Sequence, residues 1–212
     1  MRKIMIQLFL LAAVAAYGNT TIDDVFRTMP AQFLPGFHDQ HREALLLSDN
    51  RPVSYPLGEI TKLHHTDNFL EIRTSAVGTM QIKMLPIRRA SLLPARRNSF
   101  IISVIQTVCG SACDSHISFF DTRWQPLDTH TLLPDISAAI FMDSVQKEAG
   151  NEKYILSLSG ISPISAQFSG KNNSLVLTFN YRQHLSPGMI EELTPFLETD
   201  TVVLQWHNGR FQ

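Results

Sequence analysis

The chain of 212 residues is 44% apolar, 17% charged and 9% aromatic, with 18 basic side chains against 19 acidic ones. That length suits one domain, or two small ones, with a sizeable core, and the ordinary apolar content excludes a disordered chain. The near-neutral balance excludes a nucleic-acid binder, which needs a strong basic field to displace counterions.

In chain order the first feature is a leader. Arg2 and Lys3 are followed by an apolar run from Ile4 to Ala16 broken only by Gln7, and Ala16-Tyr17-Gly18 then supplies small residues before a cut. A short positive region, a short apolar run and a small-residue site make residues 1–18 a secretory signal peptide. Asn19 is then the first mature residue, and Ala13-Val14-Ala15 is the competing cut. The run of about 13 residues falls short of the roughly 20 that span a bilayer. No later stretch is long enough to do so, and no cysteine follows either cut to carry a lipid anchor. The expected mature protein is one exported domain, residues 19–212, with 16 basic against 19 acidic side chains and a net charge of −3.

Thr21 is placed to cap a helix whose first turn holds Asp23 and Asp24, where the helix dipole favours negative charge. Ile22, Val25, Phe26 and Met29 follow as one apolar stripe, and Pro30 ends it. Phe33 to Gly36 reads as a turn and His38 to Leu47 as a second short helix. A hairpin comes next: Leu70, Ile72 and Thr74 alternate with Glu71 and Arg73, and Met80, Ile82 and Met84 with Gln81 and Lys83. A loop of Ala76-Val77-Gly78 with a left-handed Gly78 pairs Leu70 with Met84 and Ile72 with Ile82 on the buried face. It also sets Glu71 opposite Lys83 on the wet face. Ile87 to Asn98 is a long connection carrying Arg88, Arg89, Arg96 and Arg97.

Strand-like runs from Phe100 to Val108 and from Ser115 to Phe120 flank Cys109 and Cys113, the chain's two cysteines. In a hairpin these cysteines face each other across Gly110-Ser111-Ala112, at a separation a disulfide can close. An oxidising compartment favours that closure. A redox pair would more usually be C-x-x-C, and zinc would need two further ligands. The stretch from Leu132 to Gly150 reads equally as loop and as short helix. Strands are expected again over Tyr154 to Ser159, Ala166 to Ser169 and Leu175 to Tyr181. Ser186-Pro187 opens a short helix turning Met189, Ile190, Leu193, Phe196 and Leu197 inward, which Pro195 confines to two turns. Val202, Leu204 and Trp206 alternate in a last strand, and Asn208-Gly209 signals a turn before Phe211. This order makes an α+β fold: short N-terminal helices, an antiparallel meander sheet, and a short helix before the last strand.

Chemistry-bearing patterns are sparse. His38 and His41 share a helix face, but no third metal ligand accompanies them. His64 and His65 point to opposite faces of a strand and so cannot chelate as neighbours. His116 reads as a solvent-facing strand residue. Gly160 to Ile164 begins like a nucleophile elbow but lacks the closing glycine and has Pro163 in its place of turn. Neither a zinc-protease, nor a phosphate-loop, nor a dinucleotide-binding pattern occurs. The paired arginines at Arg88, Arg89, Arg96 and Arg97 suit a sulfate, phosphate or acidic glycan, because guanidinium forks match those groups; solvated loop charge explains them as well.

Several landmarks together resemble an uncharacterised family of exported Bacteroidetes proteins, a domain of unknown function. They are Met29-Pro30 and Leu34-Pro35, the run from Met80 to Pro86, the block from Val108 to Ser115, Ile117 to Asp121 with Trp124, and Leu193 to Leu197 with Trp206. The resemblance runs from about Thr21 to Phe211 and departs from the family pattern at His38 to Leu47 and in the arginine loop. It implies export and a disulfide hairpin at Cys109 and Cys113, and it carries no activity, ligand or catalytic residue. Asp143-Ser144-Val145 and Asp200-Thr201-Val202 also have the short form used for O-glycosylation by some exported Bacteroidetes proteins.

The function expected from these readings is a non-catalytic binding or envelope-assembly module, with no cofactor or metal. Its partner is a protein or glycan of the cell envelope and not a nucleic acid. Two alternatives come from other classes: a periplasmic hydrolase with an Asp/Glu/His site, and an anionic-ligand or glycan binder using Arg88, Arg89, Arg96 and Arg97.

Overall fold

The computed structural model describes residues 20–87, 99–150, 163–169 and 172–212. Helix α1 (Ile22–Arg27) starts as expected at Thr21, whose N–H donates to the Asp24 carboxylate at 2.9 Å. That capping box leaves Ile22, Val25 and Phe26 on a buried face. A single 3₁₀ turn, Ala31–Phe33, leads to α2 (Asp39–Leu47). Each helix ends on a buried cation. Arg42 Nη1 donates to the carbonyls of Arg27 (2.6 Å) and Phe26 (3.3 Å), and Lys62 Nζ donates to that of Leu46 (2.6 Å). Positive charge there complements both the unpaired carbonyls and the negative end of the helix dipole. Burial lowers the pKa of Arg42, an effect Asp39 partly offsets.

Six strands then run in sequence order, each antiparallel to the next: β1 (Val53–Tyr55), β2 (Gly58–Thr66), β3 (Phe69–Arg73), β4 (Gly78–Ile87), β5 (Ser99–Cys109) and β6 (Cys113–Phe120). The meander is therefore as expected, extended by β1 and β2, which polar residues concealed in the sequence. The later strands do not lengthen it. β7 (Ile164–Phe168), β8 (Ser174–Phe179), β9 (Thr201–His207) and β10 (Arg210–Phe211) form a second, four-stranded sheet in the order β10-β9-β8-β7. The stretch between the sheets contains α3 (Thr129–Leu132), a 3₁₀ turn at Ala138–Phe141 and α4 (Ser144–Glu148). The strand expected over 154–159 lies outside the described residues. Tyr181, expected to end a strand, instead opens α5 (Tyr181–His184) and is buried. α6 (Pro187–Leu193) passes into a 3₁₀ turn at Thr194–Phe196, so Pro195 limits it as its missing N–H requires. Asn208 (φ 51°) and Gly209 (φ 85°) both take left-handed conformations in the two-residue turn between β9 and β10.

Both faces of the six-stranded sheet are covered. On one, Leu70, Ile72, Met80, Ile82, Ile102 and Val104 pack beneath α1 and α2 with Phe26, Phe37 and Leu45. On the other, Phe69, Leu85, Ile101, Ile105 and Phe119 meet Phe168, Leu175, Leu177, Phe179 and Phe211 of the second sheet. The protein is thus an α+β stack of helices, large sheet and small sheet.

This second cover corrects the expected hairpin between β3 and β4. Leu70 pairs with Ile82 and Ile72 with Met80, two residues from the expected register, and Glu71 faces Gln81 in place of Lys83. A shift of two keeps every side chain on its own face, so the apolar set stays buried. The turn closes through Thr74 N–H to the Gly78 carbonyl (2.9 Å), which takes Gly78 into the strand opposite Val108. Gly78 is not needed for a left-handed backbone. A Cβ there would lie 2.8 Å from the hydroxyls of Ser75 and Thr74, so a side chain at this position would force those hydroxyls to move. Glu71, Gln81 and Lys83 are not on a wet face either: their exposures are 8%, 5% and 1%.

The buried polar residues hold the two sheets together. β7 is an end strand of the small sheet, so alternate N–H groups along it have no strand partner on that side. Side chains of the large sheet accept from them: Asp114 from Ile164 (3.2 Å), Ser115 from Ala166 (2.9 Å) and Gln81 from Phe168 (2.8 Å). Gln81 Nε2 in turn donates to Glu71 Oε1 (2.8 Å), and the other Glu71 oxygen meets His64 Nδ1 (2.7 Å). A polar chain therefore runs from an exposed imidazole to the edge of the second sheet.

Candidate functional site

Cys109 and Cys113 stand opposite each other at the end of the β5–β6 ladder and form a disulfide, with Cα atoms 4.0 Å apart. The bond closes the tip beside the clasped strand, because the Cys113 carbonyl also accepts from Asn180 Nδ2 (2.7 Å) and Asp114 and Ser115 follow directly. Val77 and Val108, 54% and 61% exposed, flank this tip. Arg88, Arg89, Arg96 and Arg97 lie outside the described residues; the ends of their segment, Ile87 and Ser99, pair with each other.

The histidines take structural places. His41 Nδ1 accepts the His38 N–H (3.1 Å), which makes it a helix cap in ring contact with Phe37 and Tyr55. His64 and His65 do point to opposite faces: His64 reaches Glu71, while His65 Nε2 meets Asp23 of α1 at 2.6 Å. Among the described residues no group of three or more His, Cys, Asp or Glu side chains is placed to hold a metal ion.

Among the described residues, two clefts stand out. The larger, about 830 Å³, lies between α1, the ends of β4 and β5, and the turn after β6; Val25, Phe100, Ile101 and Leu127 line it beside Asp24, Asp121 and Arg123. Its carboxylates are committed to the backbone. The Thr21 N–H holds the Asp24 pKa below its usual value, with help from the Thr21 hydroxyl and Arg27. Asp121 is lowered by the N–H groups of Gln125 and Arg123, which its carboxylate accepts at 2.9 and 2.8 Å. That turn carries Trp124 into a left-handed conformation (φ 61°), a strain offset by packing its ring on Phe33 and Phe120.

The smaller cleft, about 350 Å³, runs along the β6 edge and is lined by Asp114, His116, His130 and Asp135 over Ile117, Leu133 and Ile164. His116 is exposed as expected. It shares this cleft with His130 and Asp135, which the sequence keeps apart and did not single out. An apolar floor with a few polar groups at its rim suits the capture of a ligand group or a short peptide.

No curated protein matches the chain. The family described as "Protein of unknown function (DUF3256)" matches residues 14–211. Among solved structures, a "domain of an uncharacterized protein from Porphyromonas gingivalis W83" is similar, with 24% identity and a TM-score of 0.74 over 90% of this chain and 96% of that one. That likeness concerns the fold. No helix among the described residues is long and apolar enough to cross a membrane.

Proposed function

We propose that this protein, which belongs to the DUF3256 family, is an exported, non-catalytic module that binds a protein or glycan partner in the cell envelope. The observation that carries the reading is the closed Cys109–Cys113 pair, since such bonds persist in oxidising compartments and seldom in the cytosol. The leader pattern of residues 1–18 supplies the route to that compartment. Binding is favoured over catalysis because the acidic groups of the larger cleft are held ionised by backbone N–H groups, which suits turn-holding and not proton transfer.

The test is made on protein expressed with its leader in a Bacteroidetes host. N-terminal sequencing should find Asn19 first, and alkylation without reductant should label neither cysteine. An intact leader on a cytosolic chain with two reactive thiols overturns the reading. For the binding half, residue-specific crosslinking from the smaller cleft in native envelopes should give one discrete adduct that is lost when Leu133 is replaced by Asp. A hydrolytic activity that disappears in His116→Ala or His130→Ala would put a hydrolase in its place.

A further inference from the structure

We infer that the outer edge of β6 takes up an extended peptide of a partner protein as an added strand, with an apolar side chain in the smaller cleft and a lysine or arginine against the acids of its rim. β6 ends the six-stranded sheet, so one row of its backbone groups faces away from the ladder. The pairing shows which residues form that row. Cys109 donates its N–H to the Val77 carbonyl (2.8 Å), toward β4, so Cys109 and Cys113 exchange no backbone bonds and Cys113 turns its own groups outward. Alternation turns Ser115, Ile117 and Phe119 outward as well.

Both ends of this row are already used. The Cys113 carbonyl accepts from Asn180 Nδ2 (2.7 Å), and the Phe119 carbonyl accepts from the Leu127 N–H (2.9 Å). Pro126, bridged to Phe120 in antiparallel sense, and Leu127 thus begin a further strand on the edge. That strand stops at once. Asp128 Oδ1 accepts the His130 N–H (3.1 Å) and caps α3, which carries the chain away. Between the two ends, the outward N–H and carbonyl groups of Ser115 and Ile117 meet no backbone partner among the described residues. They stand in line with Leu127, along a stretch that about five residues of extended chain would fill.

The surroundings select the occupant. Ile117, Leu133 and Ile164 make an apolar floor beside the row, and Asp114 and Asp135 stand at the rim. Among the described residues no lysine or arginine lies within ion-pair distance of either carboxylate. A cationic side chain therefore complements the rim and an apolar one the floor. A peptide backbone also repeats N–H and carbonyl groups at the spacing of this row, which a sugar chain does not. An extended peptide with apolar residues at alternate positions and a Lys or Arg meets row, floor and rim together.

The inference names the partner class for the binding reading and rests on it. Phage-displayed random nonapeptides are selected on the chain purified from a Bacteroidetes host with its disulfide closed. The strongest is synthesised with N-methyl groups on alternate backbone amides, in two sets offset by one residue. Enriched sequences should hold apolar residues at alternate positions, carry Lys or Arg and lack a central proline. One methylated set should lose at least about tenfold in affinity and the other little, because only alternate amides of an added strand face β6. This comparison leaves the protein itself unaltered. The bound peptide should slow amide exchange at Ser115 and Ile117, and Asp135→Asn, at an exposed position, should weaken binding several-fold without moving the melting temperature. No enriched sequence, equal loss in both methylated sets, or unchanged exchange at Ser115 and Ile117 overturns the inference. Residue-specific crosslinking from His116 in native envelopes then separates it from the reading it rests on. After any of those results, a discrete adduct leaves binding standing and the absence of one overturns both; an adduct with a glycan overturns strand addition alone.

Discussion

Replacing Gln81 with leucine removes the central member of the polar chain between the sheets while keeping its approximate volume. Two buried groups are then left unpaired: the Phe168 N–H, 2.8 Å from Gln81 Oε1, and Glu71 Oε1, 2.8 Å from Gln81 Nε2. An unsatisfied buried polar group costs about 1–3 kcal/mol, more for a charged one, so Gln81→Leu should destabilise the protein by roughly 3–5 kcal/mol. Ser115→Ala strips the acceptor from one half-buried N–H, that of Ala166, and should cost about 1 kcal/mol on the same scale. Urea unfolding monitored by tryptophan fluorescence gives both values. Amide exchange adds the location: Phe168 should lose protection in the first variant and Ala166 in the second. A loss below about 1 kcal/mol for Gln81→Leu, or unchanged exchange at Phe168, would refute the argument that large-sheet side chains hold the β7 edge.

Three further outcomes are expected. Replacing both Cys109 and Cys113 with serine opens a very short loop, and chain entropy puts the loss at about 2 kcal/mol; equilibrium unfolding should show it, with faster exchange at Ile164 next to the freed tip. Burial lowers the pKa of Lys83, so the unfolded chain binds the proton more readily and this group's contribution to stability rises with pH from its folded value up to 10.5. Lys83→Met should therefore raise the denaturation midpoint at neutral pH, with a gain that shrinks by pH 10, and equal midpoints at pH 7 would contradict the assigned cause. Asp24 and Asp121 have lowered pKa values, so their stabilisation is present above the ordinary carboxylate pKa and is lost as pH falls through the folded one. Asp24→Asn with Asp121→Asn should flatten acid unfolding between about pH 5 and 2, by a modest amount because both groups are solvated.

Local chemistry made parts of this protein legible in the sequence. The capping of α1 at Thr21, the Asn208-Gly209 turn, the Pro195 limit on α6 and the facing of Cys109 and Cys113 depend on residues a few positions apart, and all appear as read. The opposed directions of His64 and His65 follow from strand geometry alone. The β3–β4 register did not follow, because a shift of two satisfies the hydrophobic pattern equally well. The smaller cleft was equally hidden, since β6 and the 129–136 segment bring His116 and His130 together only in three dimensions.

The sequence by itself determined the two N-terminal helices, the Asn208-Gly209 turn and the sulfur-closed hairpin, because those outcomes depend on near neighbours and on alternation along one strand. Only the tertiary structure decided that the strands divide into two sheets and that Glu71, Gln81 and Lys83 lie between them. Alternation marks one face as apolar, but whether the polar face meets water or another layer depends on where a distant sheet docks, and on whether its N–H groups find those polar side chains.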